Sequence, residues 1–488
     1  MDHFTQCAPQ RVFYYFEQLS RIPRGSGNMA GVSTYCLQFA QAHGLDATRD
    51  KQDNVIIRKP ASPGHEAADP VILQGHLDMV CEKLPGSDFD FTKDPLRLQL
   101  EGDWLTADGT TLGADNGIAI AMILAILEDT TLAHPALEAV FTTDEETGLF
   151  GAAALVTSCL QGKTLINLDS EDEGVLTVSC AGGIRVTGTL PVRRTHCTLP
   201  GLRITVGGLR GGHSGAQIHE GRGSATQLLA RLLLHCSAAA PFALVGLDGG
   251  GRDNVIAAHA TATLTAEPDA LAAIQQAAAQ LQAAYQAELV TTDPGITVTV
   301  DALPAEKRSA LTLEDTRRAV QLLASCPQGV IAMSQDLPGL VQTSLNLGIL
   351  QLSCEQLQAD FSVRSSCESQ KDMLVARLGA LFGLAGGEIH THGNYPGWAF
   401  LRHSPLRDHM VETWRQMFGD APKVEAIHAG LECGLFAGKI PGLDAVSLGP
   451  QMQEVHTVNE RLSIASTQRV YRYVCQVLAT WGTQKEEL

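Results

Sequence analysis

The sequence holds twelve cysteines but no pair spaced C-x-x-C. A zinc finger or a dithiol redox centre needs that spacing. Neither is expected, and any metal would have to be held by histidines and carboxylates. Long apolar runs are also missing. The longest clean one, IAIAMILAIL at 118–127, falls far short of the ~20 residues of a membrane-spanning helix. Positive charge is scarce: 35 Lys+Arg stand against 53 Asp+Glu, a formal net charge of −18. A nucleic acid or an anionic membrane requires a basic face, so neither is an expected partner. The first residues, MDHFTQCAPQRVFYYFEQ, lack the basic segment and apolar core of a secretion signal. The expectation is a reducing, cytoplasmic setting, with Cys159, Cys180, Cys236 and Cys475 read as buried thiols in apolar surroundings.

What is present is a globular composition, 44% hydrophobic and 18% charged, over 488 residues. That length exceeds one core and corresponds to about three domain-sized units. From 1 to 182, strand-like NVIIRK, VILQGHLD, LEAVFTTD and TLINLD alternate with helix-like VFYYFEQLSRI, MAGVSTYCLQFAQAHG and GIAIAMILAILED. This alternation predicts a layered α/β sheet. From 183 to 398 the pattern turns to half-exposed antiparallel strands such as LRITVGGL, ATATLTAE, VQTSLNLGILQLS and LQADFSVRSS. Between them lie helix-like LAAIQQAAAQLQAAYQAEL and KDMLVARLGALFG, and a glycine-rich bend, GLDGGGRDN. An internal duplication is one reading of this region, though no residue repeat carries it. HGNYPGWAF reads as a return linker. From 399 the α/β character resumes, with helix-like HMVETWRQMFG, the strand LDAVSLGP and a final helix over about 458–481. That helix would open on Thr457-Val458-Asn459-Glu460, a T-x-x-E capping box. One domain, 1–182 with 399–488, is therefore interrupted by a second, 183–398.

In open α/β sheets, ligands bind beyond the carboxyl ends of the strands. Five segments deliver polar residues there. VILQG is followed by His76 and Asp78, and LGADNG carries Asp115. LEAVFTT leads to Asp144, Glu145 and Glu146, TLINL to Asp169, and the loop after AVSLGP to His456. So many carboxylates at one edge would repel each other without cations between them. His76 and Asp78, two apart in an extended chain, point to the same side, so Asp78 can hold the imidazole's other N–H while His76 ligates. Imidazole combined with carboxylate favours zinc, cobalt or manganese over magnesium or calcium. Spacing alone leaves Glu145 and Glu146 interchangeable as ligand and free base. Asp144 reads as a solvent-facing or loop-capping residue, and Glu171, Asp172 and Glu173 as a solvated acidic run.

Taken in order, QGHLDMV, LGADNGIAIA, TTDEETGLFGA, NLDSED and QEVHTVNE resemble the signature blocks of the di-zinc metallopeptidases that include aminoacylases, glutamate carboxypeptidases and dipeptidases. The resemblance runs from SRIPRGSGN (19–28) to the C-terminal helix. The long second domain and the YPGW tract bring it nearest to the dipeptidases of that family. It implies a zinc-peptidase-like α/β catalytic domain with a mixed sheet and flanking helices, interrupted by an inserted α+β lid domain. It implies two divalent metal ions, zinc foremost, with cobalt or manganese able to substitute. Asp115 would bridge them, His76 and Asp169 would complete one site, and Glu146 and His456 the other. Glu145 would be the general base acting on a metal-bridging water, and Asp78 would orient His76.

In the second domain the resemblance makes His213, in GGLRGGHSGAQIH, an oxyanion-stabilising lid histidine, acting within one chain or across a dimer interface. Asn254 and Arg364 match positions that hold a substrate's C-terminal carboxylate, a task to which a planar guanidinium is suited. Glu432, in HAGLECGLF, is a candidate partner for the substrate's free ammonium, and His219 reads as a surface residue. The implied activity is hydrolysis of small peptides, namely dipeptides with both termini free and including those ending in histidine, by a cytoplasmic homodimer formed through the lid. Two rivals stand beside it. One is an N-acyl amino-acid deacylase on the same scaffold. The other is a non-catalytic, metal-stabilised binding protein, which would need the ligands but not Glu145.

Overall fold

A computed structural model describes residues 7–482. They gather into two compact units. Unit 1 takes in residues 7–179, 400–426 and 431–482, and unit 2 residues 180–399 and 427–430. The short stretch 427–430 thus belongs with the second unit although it lies beyond the return of the chain.

Unit 1 is built on an eight-stranded sheet. Its spatial order is Asp46–Arg49, Val55–Lys59, Leu137–Thr142, Val71–His76, Thr164–Asn167, Asp444–Ser447, Val175–Cys180 and Lys423–Ile427. The four strands from Leu137–Thr142 to Asp444–Ser447 are parallel, and antiparallel strands flank them. Parallel strands are covered on both faces, which explains why Val71–His76 and Leu137–Thr142 are buried along their whole length. One covering element is the helix Ala114–Glu128, in which every residue from Asn116 to Leu127 is buried. A helix enclosed on all sides has no polar face, hence IAIAMILAIL. Parallel strands share one carboxyl edge, and that edge carries the site.

Three local expectations change. The final helix is Ile464–Thr480 and starts on Ser463, whose side chain accepts from the Ser466 N–H. Thr457 to Glu460 therefore do not cap it, and the Glu460 carboxylate is used elsewhere. All twelve cysteines stand outside disulfides, but Cys159 is exposed, on the short turn Thr157–Cys159, while Cys180 and Cys236 are buried and Cys475 partly so. Glu173 is no free acid, since it pairs with Arg469 at 2.5 Å. Among the described residues no helix is long and apolar enough to cross a membrane.

Unit 2 contains two copies of one topology. The inserted copy runs strand Arg194–Gly207, helix Ala225–Ala239, strands Ala243–Gly250 and Ala260–Thr265, helix Pro268–Glu288 and strand Thr297–Leu311. The outer copy begins with strand Gly182–Pro191, is interrupted by the whole inserted copy, and resumes with helix Leu313–Ser325. Strands Val341–Leu352 and Gln356–Ser365, helix Glu368–Ala385 and strand Glu388–Tyr395 complete it. Each is strand–helix–strand–strand–helix–strand. All eight strands join one antiparallel sheet, and a ninth, Gly329–Met333, pairs with Val341–Leu352. One apolar core spans both copies, from Leu229 and Leu264 to Leu347 and Phe361.

GLDGGGRDN is not merely a bend, because Gly246 to Gly250 lie in the strand Ala243–Gly250. A Cβ on Gly250 would strike the Gly348 carbonyl, and one on Gly348 would strike the carbonyls of Arg252 and Asp253. Glycine is needed because two backbones approach this closely. HGNYPGWAF is likewise not a free linker. Its first residues complete the strand Glu388–Tyr395, and buried Trp398 exchanges backbone hydrogen bonds with Cys180.

Candidate metal centre and active site

The expected ligands converge at the carboxyl edge of unit 1. His76 ends its strand with Nε2 3.1 Å from Asp115 Oδ1 and 3.4 Å from Asp169 Oδ1. His456 Nε2 lies 3.1 Å from Asp115 Oδ2 and 3.1 Å from Glu146. The two oxygens of Asp115 thus face two separate imidazole–carboxylate pairs. Ligand-capable atoms of His76, Asp115 and Glu146 lie within 4.8 Å of one another. Neither triad includes Glu145. His456 takes up left-handed backbone, φ +63°, as does Asp144 at +51°. Side-chain-bearing residues seldom adopt that region outside constrained functional loops.

Asp78 does more than face the imidazole. Its backbone carbonyl is 3.1 Å from His76 Nδ1, closer than its carboxylate at 3.4 Å. The carboxylate accepts from Ser26 Oγ at 2.8 Å and from the backbone N–H groups of Glu145 and Glu146 at 3.0 and 3.2 Å. One buried residue, through its carbonyl and its carboxylate, therefore fixes both the histidine and the turn that presents Glu145 and Glu146. Asp144 caps a loop, accepting from the Gly27 N–H at 2.6 Å.

Three further residues shape the edge, and sequence reasoning gave none of them a place in the site. Glu460, buried, accepts the backbone N–H groups of Leu112, Gly113, Ala114 and Asp115 at 2.8–3.2 Å. It satisfies the otherwise orphan donors that open the helix bearing Asp115. Asn116 accepts from the His76 N–H at 3.1 Å and donates to the Leu168 carbonyl at 2.8 Å, tying the helix to two strand ends. Arg24, fully buried, donates to the carbonyls of Leu77, Asp78 and Gly113. Its arginine in SRIPRGSGN was visible, but the three carbonyls it gathers come from segments about 53 and 89 residues away.

The electrostatics are those of crowded charges of one sign. Burial and the charges of Asp169, Glu432 and Glu146 push Glu145 up to about 9. Burial and the neighbouring carboxylates raise Asp169 to about 6. Asp115 and Glu146 push His456 up to about 11. Burial alone would lower His76, but Asp169, Asp115 and Asp78 carry it well above its ordinary value. The carboxylates raise both imidazoles, so the edge favours positive charge.

Glu432 is fully buried. Its Oε2 accepts from Gln74 Nε2 at 2.5 Å and Thr142 Oγ1 at 2.7 Å, and its Oε1 has no hydrogen-bond partner among the described residues. Burial raises it to about 7.

The remaining expected residues lie in unit 2. His213 Nδ1 accepts two backbone N–H groups, from Gly215 at 3.2 Å and Ala216 at 3.0 Å. That assigns the proton to Nε2, which is left as a donor. Burial and the Arg364 charge lower the His213 pKa, keeping the ring neutral. The Asn254 carbonyl accepts from the Ser214 N–H at 2.9 Å, beside the short pairing of His213 with Val255. Arg364, nearly buried, donates to Tyr395 Oη at 3.2 Å, and its Nε has no hydrogen-bond partner among the described residues. Gly215 sits where a Cβ would be 2.5 Å from the His428 carbonyl and 3.2 Å from Arg364 Nε. His428, which sequence reasoning also passed over, places Nε2 2.7 Å from Ser344 Oγ. Burial and the charges of Arg364, His213 and His219 push it down to about 3, against a lift from the Val341 carbonyl.

Comparison with known proteins decides the family. The model of the peptidase family M20/M25/M40 matches residues 72–480. The chain belongs to that family. The cytosol non-specific dipeptidase of Escherichia coli (strain K12) is 36% identical over 480 residues, 98% of this chain and 99% of the relative. The crystal structure of aminoacylhistidine dipeptidase from Vibrio alginolyticus superposes with a TM-score of 0.95 at 33% identity, covering 99% of each chain. An aminopeptidase from Bacillus cereus shares the fold with a TM-score of 0.56 and 16% identity, over 97% of this chain and 98% of its own. The donor set of this M20 chain fits divalent cations. Two imidazole nitrogens and three carboxylates surround two points joined by Asp115, and without cations these groups shift one another's protonation.

Proposed function

We propose that this peptidase hydrolyses dipeptides with free N- and C-termini, with broad side-chain tolerance that includes peptides ending in histidine. The observation that carries the reading is the pair of triads sharing Asp115, with Glu145 beside them and outside both. His76 with Asp169 would hold one divalent cation, and His456 with Glu146 a second, with Asp115 between. Zinc suits the mixed nitrogen and oxygen donors, and cobalt or manganese could replace it. When bound, the pair would supply Lewis-acid polarisation of the scissile carbonyl and acidify a water.

The chain's own residues do the rest. Glu145, outside both triads, takes a proton from the attacking water and passes it to the leaving amine. Asp78 fixes the backbone of Glu145 and the ring of His76. The neutral His213, with its proton on Nε2, donates to the developing oxyanion. Arg364 and Asn254 hold the substrate carboxylate, and Glu432, through its unpartnered Oε1, the substrate ammonium. In this reading unit 2 is the lid, and the protein works in the cytosol, as the name of its Escherichia coli relative states for that enzyme. A homodimer formed through the lid is part of the same proposal.

The test is a panel of dipeptides, tripeptides and N-acetylated dipeptides, assayed after chelation and after return of single metals. Dipeptides should be cleaved only with metal restored. Preference for the N-acetyl forms would make the chain a deacylase instead.

A further inference from the structure

Arg24 is a cation in a place where stability gains little from one. It is 2% exposed, and its Nε has no hydrogen-bond partner among the described residues. Its guanidinium lies against the start of the helix Ala114–Glu128. At that end the aligned peptide dipoles favour negative charge and disfavour a cation. Taking a charge out of water is costly as well. Yet the chain makes room for it. A Cβ on Gly113 would stand 2.6 Å from Arg24 Nη2 and 2.7 Å from Met79 Sδ, and one on Gly117 would stand 2.5 Å from Nη2. Gly113 also takes up left-handed backbone, φ +67°. Two glycines four residues apart, about one helical turn, thus leave a notch, and the guanidinium fills it.

What the guanidinium holds is the frame of two neighbouring donors. Nη1 donates to the carbonyls of Leu77 at 3.0 Å and Asp78 at 3.2 Å. The same Asp78 carbonyl lies 3.1 Å from His76 Nδ1. Nη2 donates to the carbonyl of Gly113, two residues before Asp115. Glu460 accepts the Gly113 N–H at 2.9 Å, so opposite charges grip that one residue from both sides. Glu460 and Asp78 are also the acids whose charges act on Arg24 most strongly. One planar fork therefore spans the strand end that carries His76 and the turn that carries Asp115, whose Nε2 and Oδ1 lie 3.1 Å apart. We propose that Arg24 is a positioning residue of the metal centre: its fork holds His76 and Asp115 together as donors to one divalent cation, and it is itself no ligand. A lysine would keep the charge. Its ammonium is a point charge on a flexible stem, though, and lacks the rigid fork that reaches carbonyls of two segments at once.

This rests on the proposed metal pair, and the experiment separates the two. Wild type, Arg24→Lys and Gly117→Ala are stripped of metal and titrated with zinc against a competing chelator. The titration is run where each metal-free chain is folded, as its denaturant midpoint shows. Gly117→Ala keeps the arginine but fills the notch, so it decides the matter should Arg24→Lys not fold. The expected result is a zinc affinity about 10–100-fold below wild type in both variants, the usual cost of losing a group that orients metal-binding residues. Wild-type zinc affinity in a folded Arg24→Lys would overturn the proposal, whatever its midpoint, and would leave Arg24 a support of the fold alone. If the lysine variant does not fold, wild-type affinity in Gly117→Ala would overturn it equally. A wild-type chain that takes up no zinc would instead overturn the metal pair.

Discussion

The two units place chemistry in opposite ways. In unit 1 the functional groups are acids and imidazoles at the ends of parallel strands, fixed by a buried lattice of Arg24, Asp78, Asn116 and Glu460. In unit 2 the proposed groups are a histidine, an asparagine and an arginine on loops and strands of two modules that meet at an antiparallel junction. A cluster of like charges needs a rigid frame and external cations. A set of donors for a small anion needs only convergence. The first arrangement suits bond breaking, the second the choice of substrate. Substitutions at the unit 1 edge should therefore change turnover or metal content, whereas in unit 2 those at Asn254 and Arg364 should change selectivity and those at His213 turnover, all with metal content intact.

The strongest test of that division is Glu145→Gln. Because Glu145 stands outside both triads, the variant should retain its metal while turnover falls by at least about 10²–10⁴-fold, the usual worth of a general base. Metal analysis of the purified variant checks it, and a missing equivalent would mean that Glu145 and Glu146 have exchanged roles. Next in size is selectivity for length. A tripeptide would leave the buried Arg364 opposite a neutral amide. Losing one partner of a buried charge pair costs about 3–5 kcal/mol, so the dipeptide should win by about 10²-fold or more in kcat/KM. Arg364→Ala should shrink that gap by impairing dipeptides, with metal unchanged. Equal kcat/KM for Ala-Ala and Ala-Ala-Ala in the wild-type protein would remove the carboxylate clamp.

Asp78→Ala should weaken metal affinity by about 10–100-fold, as loss of a residue that orients a metal-binding histidine does. A competition titration with a chelator measures it, and full affinity together with full turnover would show that Asp78 frames nothing. The smallest effect is expected at Glu460→Gln. The amide keeps one acceptor oxygen for four N–H groups, so stability should fall by about 1–3 kcal/mol. The drop should appear as a lower denaturant midpoint with an unchanged slope.

Much of the carboxyl edge was legible because its logic is local. An apolar strand followed by His76-Leu77-Asp78, or by Asp144-Glu145-Glu146, announces both the strand and the groups it presents. Glu460 was misread for the same reason. Its neighbours match a capping box, whereas its partners lie about 345 residues earlier at another helix. The internal duplication could be raised but not carried by the sequence, because it resides in strand order and one copy is split by the other. Glu432 was singled out as a candidate, but its burial against Gln74 and Thr142 lies in the packing, not in the motif.

By itself the sequence determined the residue types at each strand end, the α/β character of the outer segments and the poverty of basic charge, because side-chain periodicity and composition act over a few residues. Only the tertiary structure decided that Asp115 offers one oxygen to each triad, that Glu460 and Arg24 gather distant backbone groups, and that two modules join into one sheet. Those facts depend on which segments meet across hundreds of residues, and burial, which sets the strength of every charge and hydrogen bond involved, exists only once they have met.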